Sequence, residues 1–257
     1  MTKVKVLMLR APGTNRDIDT RIAFEVAGAG LVDSTQVGEL VRKEKKLSDY
    51  HIMIIPGGFT YGDDISAGRI MANDIRLKLG EDISRFVADG KLVMGICNGF
   101  QVLVKTGILP GLPGQQGQPV TLTNNDSGKF DCRWVYLKAN KKSNCIFTKG
   151  IKGIYSPIAH GEGKLVAAPG VLEKLNIALQ YTDENWNTEA GYPANPNGSI
   201  NDIAAICDAS GRIFGVMPHP EDFIRWTQHP RATSEKPRED LYGLQIFTNA
   251  VKWAEKI

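Results

Sequence analysis

Cys97 has the setting most suited to chemistry in this 257-residue chain. It stands in Val93-Met94-Gly95-Ile96-Cys97-Asn98-Gly99-Phe100-Gln101, where an apolar strand ends, the chain turns and a helix begins. A thiol placed there projects from the carboxyl edge of a sheet, the edge at which open α/β folds hold their ligands. Gly95 and Gly99 flank the turn, and glycine permits close packing and unusual dihedrals. The arrangement is that of a nucleophile elbow with sulfur in place of oxygen. The N–H groups and dipole of the following helix favour a thiolate and can hold the negative oxygen formed when an amide carbonyl is attacked. The competing reading is a buried structural cysteine. That reading suits Cys132, Cys145 and Cys207, each in or beside an ordinary apolar strand.

A cysteine nucleophile needs a base. His219 lies in Met217-Pro218-His219-Pro220-Glu221, after an apolar strand. The prolines fix φ and hold the segment extended, so positions 219 and 221 point to one side. Glu221 then orients one ring nitrogen while the other faces the thiol, the logic of a catalytic triad. A rigid loop with His219 as a polar cap is the alternative. His51 opens a buried strand and reads as structural; His229 lies in a polar stretch and reads as solvated. His160 sits in His160-Gly161-Glu162-Gly163, a tight turn that either touches substrate or only folds on itself. Pro56-Gly57-Gly58-Phe59 ends a neighbouring strand and is either a plain turn or an oxyanion loop. In the second case Gly58 or Phe59 supplies one backbone donor and Asn98 another.

These residues must be carried by a sheet. Continuous apolar runs at Val4–Leu9, His51–Ile55 and Leu92–Ile96 suit strands buried on both faces, with a further strand near 31–37. Helical periodicity appears from Ile18 to Ala27, from Asp74 to Ala88 along Ile75, Leu79, Ile83, Phe86 and Val87, and from Asn98 to Thr106, where Gly107 stops it. The alternation predicts an α/β fold, with an open, mostly parallel sheet flanked by helices. Shorter strands follow at 120–123, 132–137, 153–158 and 177–181. A hairpin pairs 203–207 with 212–217 through Ala209-Ser210-Gly211. Gly111–Pro119 and Gln228–Arg238 read as loops, and an amphipathic helix spans Leu241–Ala254. With no repeat and no linker, residues 1–257 read as one domain.

Composition narrows the function. Hydrophobic residues make up 42% and charged residues 23%, as in an ordinary globular protein. The net charge of +3 gives no nucleic-acid footprint. The basic run Arg42, Lys43, Lys45, Lys46 is broken by Glu44 and reads as a solvated face. No run reaches the ~20 apolar residues of a membrane span. The four cysteines form no C-x-x-C pair and read as reduced thiols of a cytoplasmic protein. Asn125-Asp126-Ser127 and Asn197-Gly198-Ser199 match the glycosylation pattern by chance. No P-loop, dinucleotide fingerprint or metal-ligand spacing is present.

The cysteine turn, the Pro-Gly-Gly loop and Pro218-His219-Pro220-Glu221 together resemble class I glutamine amidotransferases. Several longer stretches narrow the resemblance to the glutaminase-subunit family of phosphoribosylformylglycinamidine synthase. They are Pro12-Gly13-Thr14-Asn15-Arg16-Asp17, Gly57-Gly58-Phe59-Thr60-Tyr61-Gly62-Asp63, Asn98-Gly99-Phe100-Gln101, Asn125–Phe130 and His160–Gly163. The resemblance spans nearly the whole chain. It implies a flavodoxin-like three-layer sandwich and hydrolysis of glutamine to glutamate and ammonia. It gives Cys97 as nucleophile, His219 as base and Glu221 as its orienter, with Gly58, Phe59 and Asn98 at oxyanion positions and Gln101 near bound glutamine. It implies no cofactor in this chain, and partners in a large synthetase subunit using ATP and Mg and a small bridging subunit. Against the shorter family members, Gly111–Pro119 and Gln228–Arg238 look extended. An amidotransferase for another acceptor, a related cysteine hydrolase or redox-responsive protein, and a non-catalytic interaction subunit remain as rival readings.

Overall fold

The computed structural model describes residues 3–63, 66–112, 114 and 117–257. The alternating half of the sequence forms β1 (Lys5–Arg10), α1 (Asp17–Val26), β2 (Leu31–Gln36), the short α2 (Val37–Val41) and β3 (Ile52–Ile55). It continues with α3 (Arg69–Lys78), α4 (Gly80–Ala88), β4 (Leu92–Ile96) and α5 (Asn98–Thr106). Every residue of β3 and β4 is buried, as continuous apolar strands covered on both faces require. The remainder forms β5 (Val120–Thr123), β6 (Asp131–Ala139), β7 (Gly153–His160), β8 (Lys164–Ala167) and β9 (Asn176–Thr182). It closes with β10 (Ile203–Cys207), β11 (Ile213–Val216) and α6 (Leu244–Ala254).

Nine strands form one open sheet in the order β2-β1-β3-β4-β11-β10-β9-β6-β7. Pairing is parallel from β2 through β11 and antiparallel from β10 outwards. The mostly parallel sheet expected from the alternation is thus the half that carries Cys97, extended by an antiparallel wing. The crossover from β1 to β2 runs one way along the sheet and that from β3 to β4 runs the other. Right-handed crossovers then put α1 on one face and α3 and α4 on the opposite one. Packing agrees, since α1 lies against α6 and α3 against α5. The rings of Phe24 and Phe247 meet edge-on at 5.0 Å between α1 and α6. Burying each contributes about 1.5–3 kcal/mol. A separate pair, β5 and β8, is antiparallel and flanks α5.

One contact fixes α5 on the sheet. A Cβ added to Gly99 would lie 1.9 Å from the Ile55 carbonyl oxygen. Only glycine lets the first turn of α5 sit directly on the end of β3.

Several elements differ from the sequence expectations. The apolar stripe Ile75-Leu79-Ile83-Phe86-Val87 is buried throughout, but it belongs to two helices. The chain bends at Leu79 (φ −127°, ψ 0°), where Gly80 weakens helical continuity. The last helix begins at Leu244, because Glu239–Leu241 forms a separate 3₁₀ turn ahead of Gly243. His229 is buried, stacked on Trp226 with centroids 4.3 Å apart inside an aromatic cluster, so it is not solvated. The cluster's rings come from the sheet as well as from its own loop, which no local polarity reveals. Cys132 is exposed, since it lies on the open face of β6, whereas Cys145 and Cys207 are buried as expected. Gly111–Pro119 includes Pro113, Gln115 and Gln116, which lie outside the described residues.

Candidate active site

Cys97 joins β4 to α5 with φ 50° and ψ −105°, a backbone state that costs a non-glycine residue roughly 1–3 kcal/mol. Its N–H donates to the Val216 carbonyl at 2.7 Å, which ties the elbow to the end of β11. The Sγ lies 3.8 Å from the Ala159 carbonyl oxygen. The residue is buried, with 6% of its surface exposed.

β11 delivers His219 beside it. The His219 N–H donates to the Pro157 carbonyl at 2.8 Å, and its Nδ1 lies 2.7 Å from Glu221 Oε1. Both side chains are buried. The segment is not extended, however. Pro220–Asp222 is a 3₁₀ turn, and the turn rather than strand alternation brings the carboxylate back to the ring. Proline at the first position of the turn favours this conformation. Burial opposes charge on His219, but the carboxylate of Glu221 and the sulfur of Cys97 overcome it and raise the imidazole well above its usual pKa.

The glycine loop packs against His219. A Cβ on Gly57 would lie 2.8 Å from His219 Cε1. Its carbonyl accepts the N–H groups of Asn15 and Arg16 at 3.4 and 3.2 Å. The Phe59 N–H, a candidate oxyanion donor, donates to the Gly13 carbonyl at 2.9 Å. Among the described residues the Gly58 N–H has no such acceptor. The Asn98 N–H lies in the first turn of α5, where intrahelical acceptors are missing.

Asn98 and Gln101 both serve the framework with their side chains. Asn98 Oδ1 accepts from the Thr60 hydroxyl at 2.7 Å, and its Nδ2 donates to Asp63 at 3.1 Å and to Gln101 Oε1 at 3.0 Å. Gln101 Nε2 donates to the Glu162 carbonyl at 2.7 Å, pinning the turn between β7 and β8 to α5. The same turn is held by Asn125, whose Oδ1 lies 3.1 Å from both the Gly163 N and His160 Nδ1. Burial and the neighbouring His219 push His160 down to about 4, so it is neutral. Asn125 and Asn197 are buried with their amide nitrogens hydrogen-bonded, in keeping with chance glycosylation matches.

Sequence reasoning missed Asp222 altogether and noticed Arg16 only as part of a motif. Asp222 follows Glu221, and Arg16 Nη1 lies 3.2 Å from its Oδ2. Nothing in local sequence shows that residues 206 positions apart meet. Among the described residues no group of three His, Cys, Asp or Glu side chains could hold a metal ion, and no helix is long and apolar enough to cross a membrane.

An elbow cysteine beside a histidine–glutamate pair on this sheet is the arrangement of a cysteine-dependent amidotransferase. The chain belongs to the CobB/CobQ-like glutamine amidotransferase domain family, which matches residues 3–254. It is 56% identical over 257 residues to phosphoribosylformylglycinamidine synthase subunit PurQ of Dehalococcoides mccartyi, covering 100% of both chains. The subunit of the same name from Treponema denticola is 45% identical, over 86% of this chain and 89% of that one. Among solved structures, a chain of PurLQS from Thermotoga maritima superposes with a TM-score of 0.73 at 31% identity, covering 98% of this chain and 99% of that one. A glutamine amidotransferase of Thermotoga maritima shares the fold, with a TM-score of 0.60 at 14% identity over 99% of this chain and 100% of that one.

Proposed function

We propose that this chain is the glutaminase subunit of a phosphoribosylformylglycinamidine synthase, acting as a single amidotransferase domain in purine biosynthesis. The full-length 56% identity to a subunit of that name supports the acceptor, and the His219–Glu221 contact at 2.7 Å supports the chemistry.

The reaction is acyl transfer. His219 accepts the Cys97 proton, and the sulfur attacks the side-chain amide carbon of glutamine. The tetrahedral oxyanion is held by the N–H groups of Gly58 and Asn98. Collapse breaks the C–N bond, the imidazolium returns its proton, and ammonia leaves. Water, deprotonated by His219, then cleaves the thioester to give glutamate and restore the thiol. The ammonia passes to a large synthetase subunit, which uses ATP and Mg to convert formylglycinamide ribonucleotide to its amidine. A small subunit bridges the two. The similarity to a chain of PurLQS from Thermotoga maritima supports such an assembly.

The test is glutamate release from glutamine in the presence of the synthetase subunits, for this chain and for Cys97→Ala. Turnover lost in the variant supports the reading. Equal rates in both, or none from a verified complex, would remove the triad.

A further inference from the structure

Arg16 joins the two halves of the site. Its Nη1 lies 3.2 and 3.4 Å from the two carboxylate oxygens of Asp222, with Asp19 Oδ2 at 3.6 Å. Its main chain is fixed as well. The Arg16 carbonyl accepts the Thr20 hydroxyl at 2.7 Å and the Thr20 N–H at 3.1 Å. The Arg16 N–H grips the Gly57 carbonyl at 3.2 Å, alongside Asn15.

That carbonyl and the Gly58 N–H belong to one planar peptide, and in a trans peptide the two point in opposite directions. Pinning the carbonyl therefore aims the N–H away from Arg16. At the other end, the Asp222 N–H donates to the His219 carbonyl at 3.1 Å, and Asp222 adjoins Glu221. One residue thus grips the oxyanion peptide with its backbone and the base-bearing turn with its side chain.

Stability does not account for this pair. Side-chain exposures are 37% for Arg16 and 17% for Asp222, and half-exposed ion pairs contribute little. Burial, then Glu221 and Asp19, press Asp222 up to about 6, while His219 and Arg16 pull the other way. The fold tolerates an unfavourable carboxylate at this position.

We propose that Arg16 and Asp222 are positioning residues. Their ion pair fixes the Gly57–Gly58 peptide relative to His219, so that oxyanion donor and base meet one substrate carbonyl together. This deepens the glutaminase reading above and rests on it.

The experiment compares Arg16→Gln, Arg16→Lys, Asp222→Asn and the Arg16→Gln/Asp222→Asn double variant, each assembled with the synthetase subunits. Two quantities are read: steady-state glutamate release, and the rate at which iodoacetamide alkylates Cys97. Alkylation needs the thiolate but no oxyanion donor, so it separates the triad from the loop. For Arg16→Gln and Asp222→Asn, kcat falls about tenfold or more while the glutamine KM and the alkylation rate stay within about twofold. Arg16→Lys recovers part of the loss, and the double variant is no worse than the poorer single one. Unchanged kcat, alkylation falling in step with kcat, or additive losses in the double variant would overturn the inference. A silent unsubstituted complex would instead remove the glutaminase reading, and this inference with it.

Discussion

The Nδ1 of His219 and the Oε1 of Glu221 are 2.7 Å apart, in a pocket where both side chains are almost wholly excluded from water. At that distance the carboxylate selects which ring nitrogen carries a fixed proton and leaves the other for the sulfur.

Glu221→Gln keeps the shape and removes the charge. The amide can present either end to the ring, so the tautomer is no longer fixed. Glutaminase kcat falls about a hundredfold or more, measured as glutamate release in the complex. The His219 pKa also falls, because burial then acts with less opposition. NMR titration of the ring reads that shift, and an unchanged value would contradict the electrostatic account.

Asp222 makes stability depend on pH with an unusual sign. Its folded pKa of about 6 lies above the ordinary 3.8. The native state therefore holds the proton more tightly, and this contribution is fully present below the unfolded pKa and lost as pH rises through about 6. Asp222→Asn is accordingly stabilised relative to the parent at pH 7.5, by about 1–3 kcal/mol, and the gain shrinks towards pH 4. Denaturant unfolding at both pH values measures this. A variant more stable and less active at once separates positioning from folding.

Gly99→Ala drives a Cβ into the Ile55 carbonyl, backbone against backbone. No rotamer relieves it, so α5 must lift from β3. We expect a loss of about 1–3 kcal/mol in chemical denaturation. Loss of glutaminase activity accompanies it, because Cys97 moves with the helix.

Gln101→Ala cuts the tie between α5 and the Glu162 carbonyl. It also removes the acceptor of the Asn98 amide, so two hydrogen bonds of about 1 kcal/mol each are lost and the turn loosens without touching the triad. The glutamine KM rises about fivefold and kcat changes less. A kcat loss at constant KM would place Gln101 in the chemistry instead.

Thiol labelling distinguishes the four cysteines. Cys132 is exposed and reacts in the native protein, and Cys97, 6% exposed beside His219, reacts there with small reagents as the proposed nucleophile. Cys145 and Cys207 are buried and react only after denaturation, which mass spectrometry of labelled peptides resolves.

Much of this was legible in the sequence, for local reasons. β4 and α5 have the expected ends, since an unbroken apolar run, a cysteine turn and a terminal glycine mark both. His219 and Glu221 pair as anticipated, although through a turn and not an extended strand. What escaped depends on contacts between distant segments. The Phe59 N–H is spent on Gly13, His229 is drawn into aromatic rings from β6 and β7, and Arg16 meets Asp222. No window of neighbouring residues encodes these partners.

The pairing of β4 with β11 has a further consequence for how the enzyme is made. Gly95 and Ile96 lie beside Gly215 and Val216, so Cys97 and His219, the proposed nucleophile and base, arrive on adjacent strands from distant parts of the sequence. During synthesis the thiol emerges long before the histidine, and β4 lacks one of its two neighbours until β11 inserts beside it. A nascent or prematurely terminated chain therefore has no competent site. On the proposed mechanism, a chain that stops before residue 221 carries its thiol without the histidine–glutamate pair and consumes no glutamine.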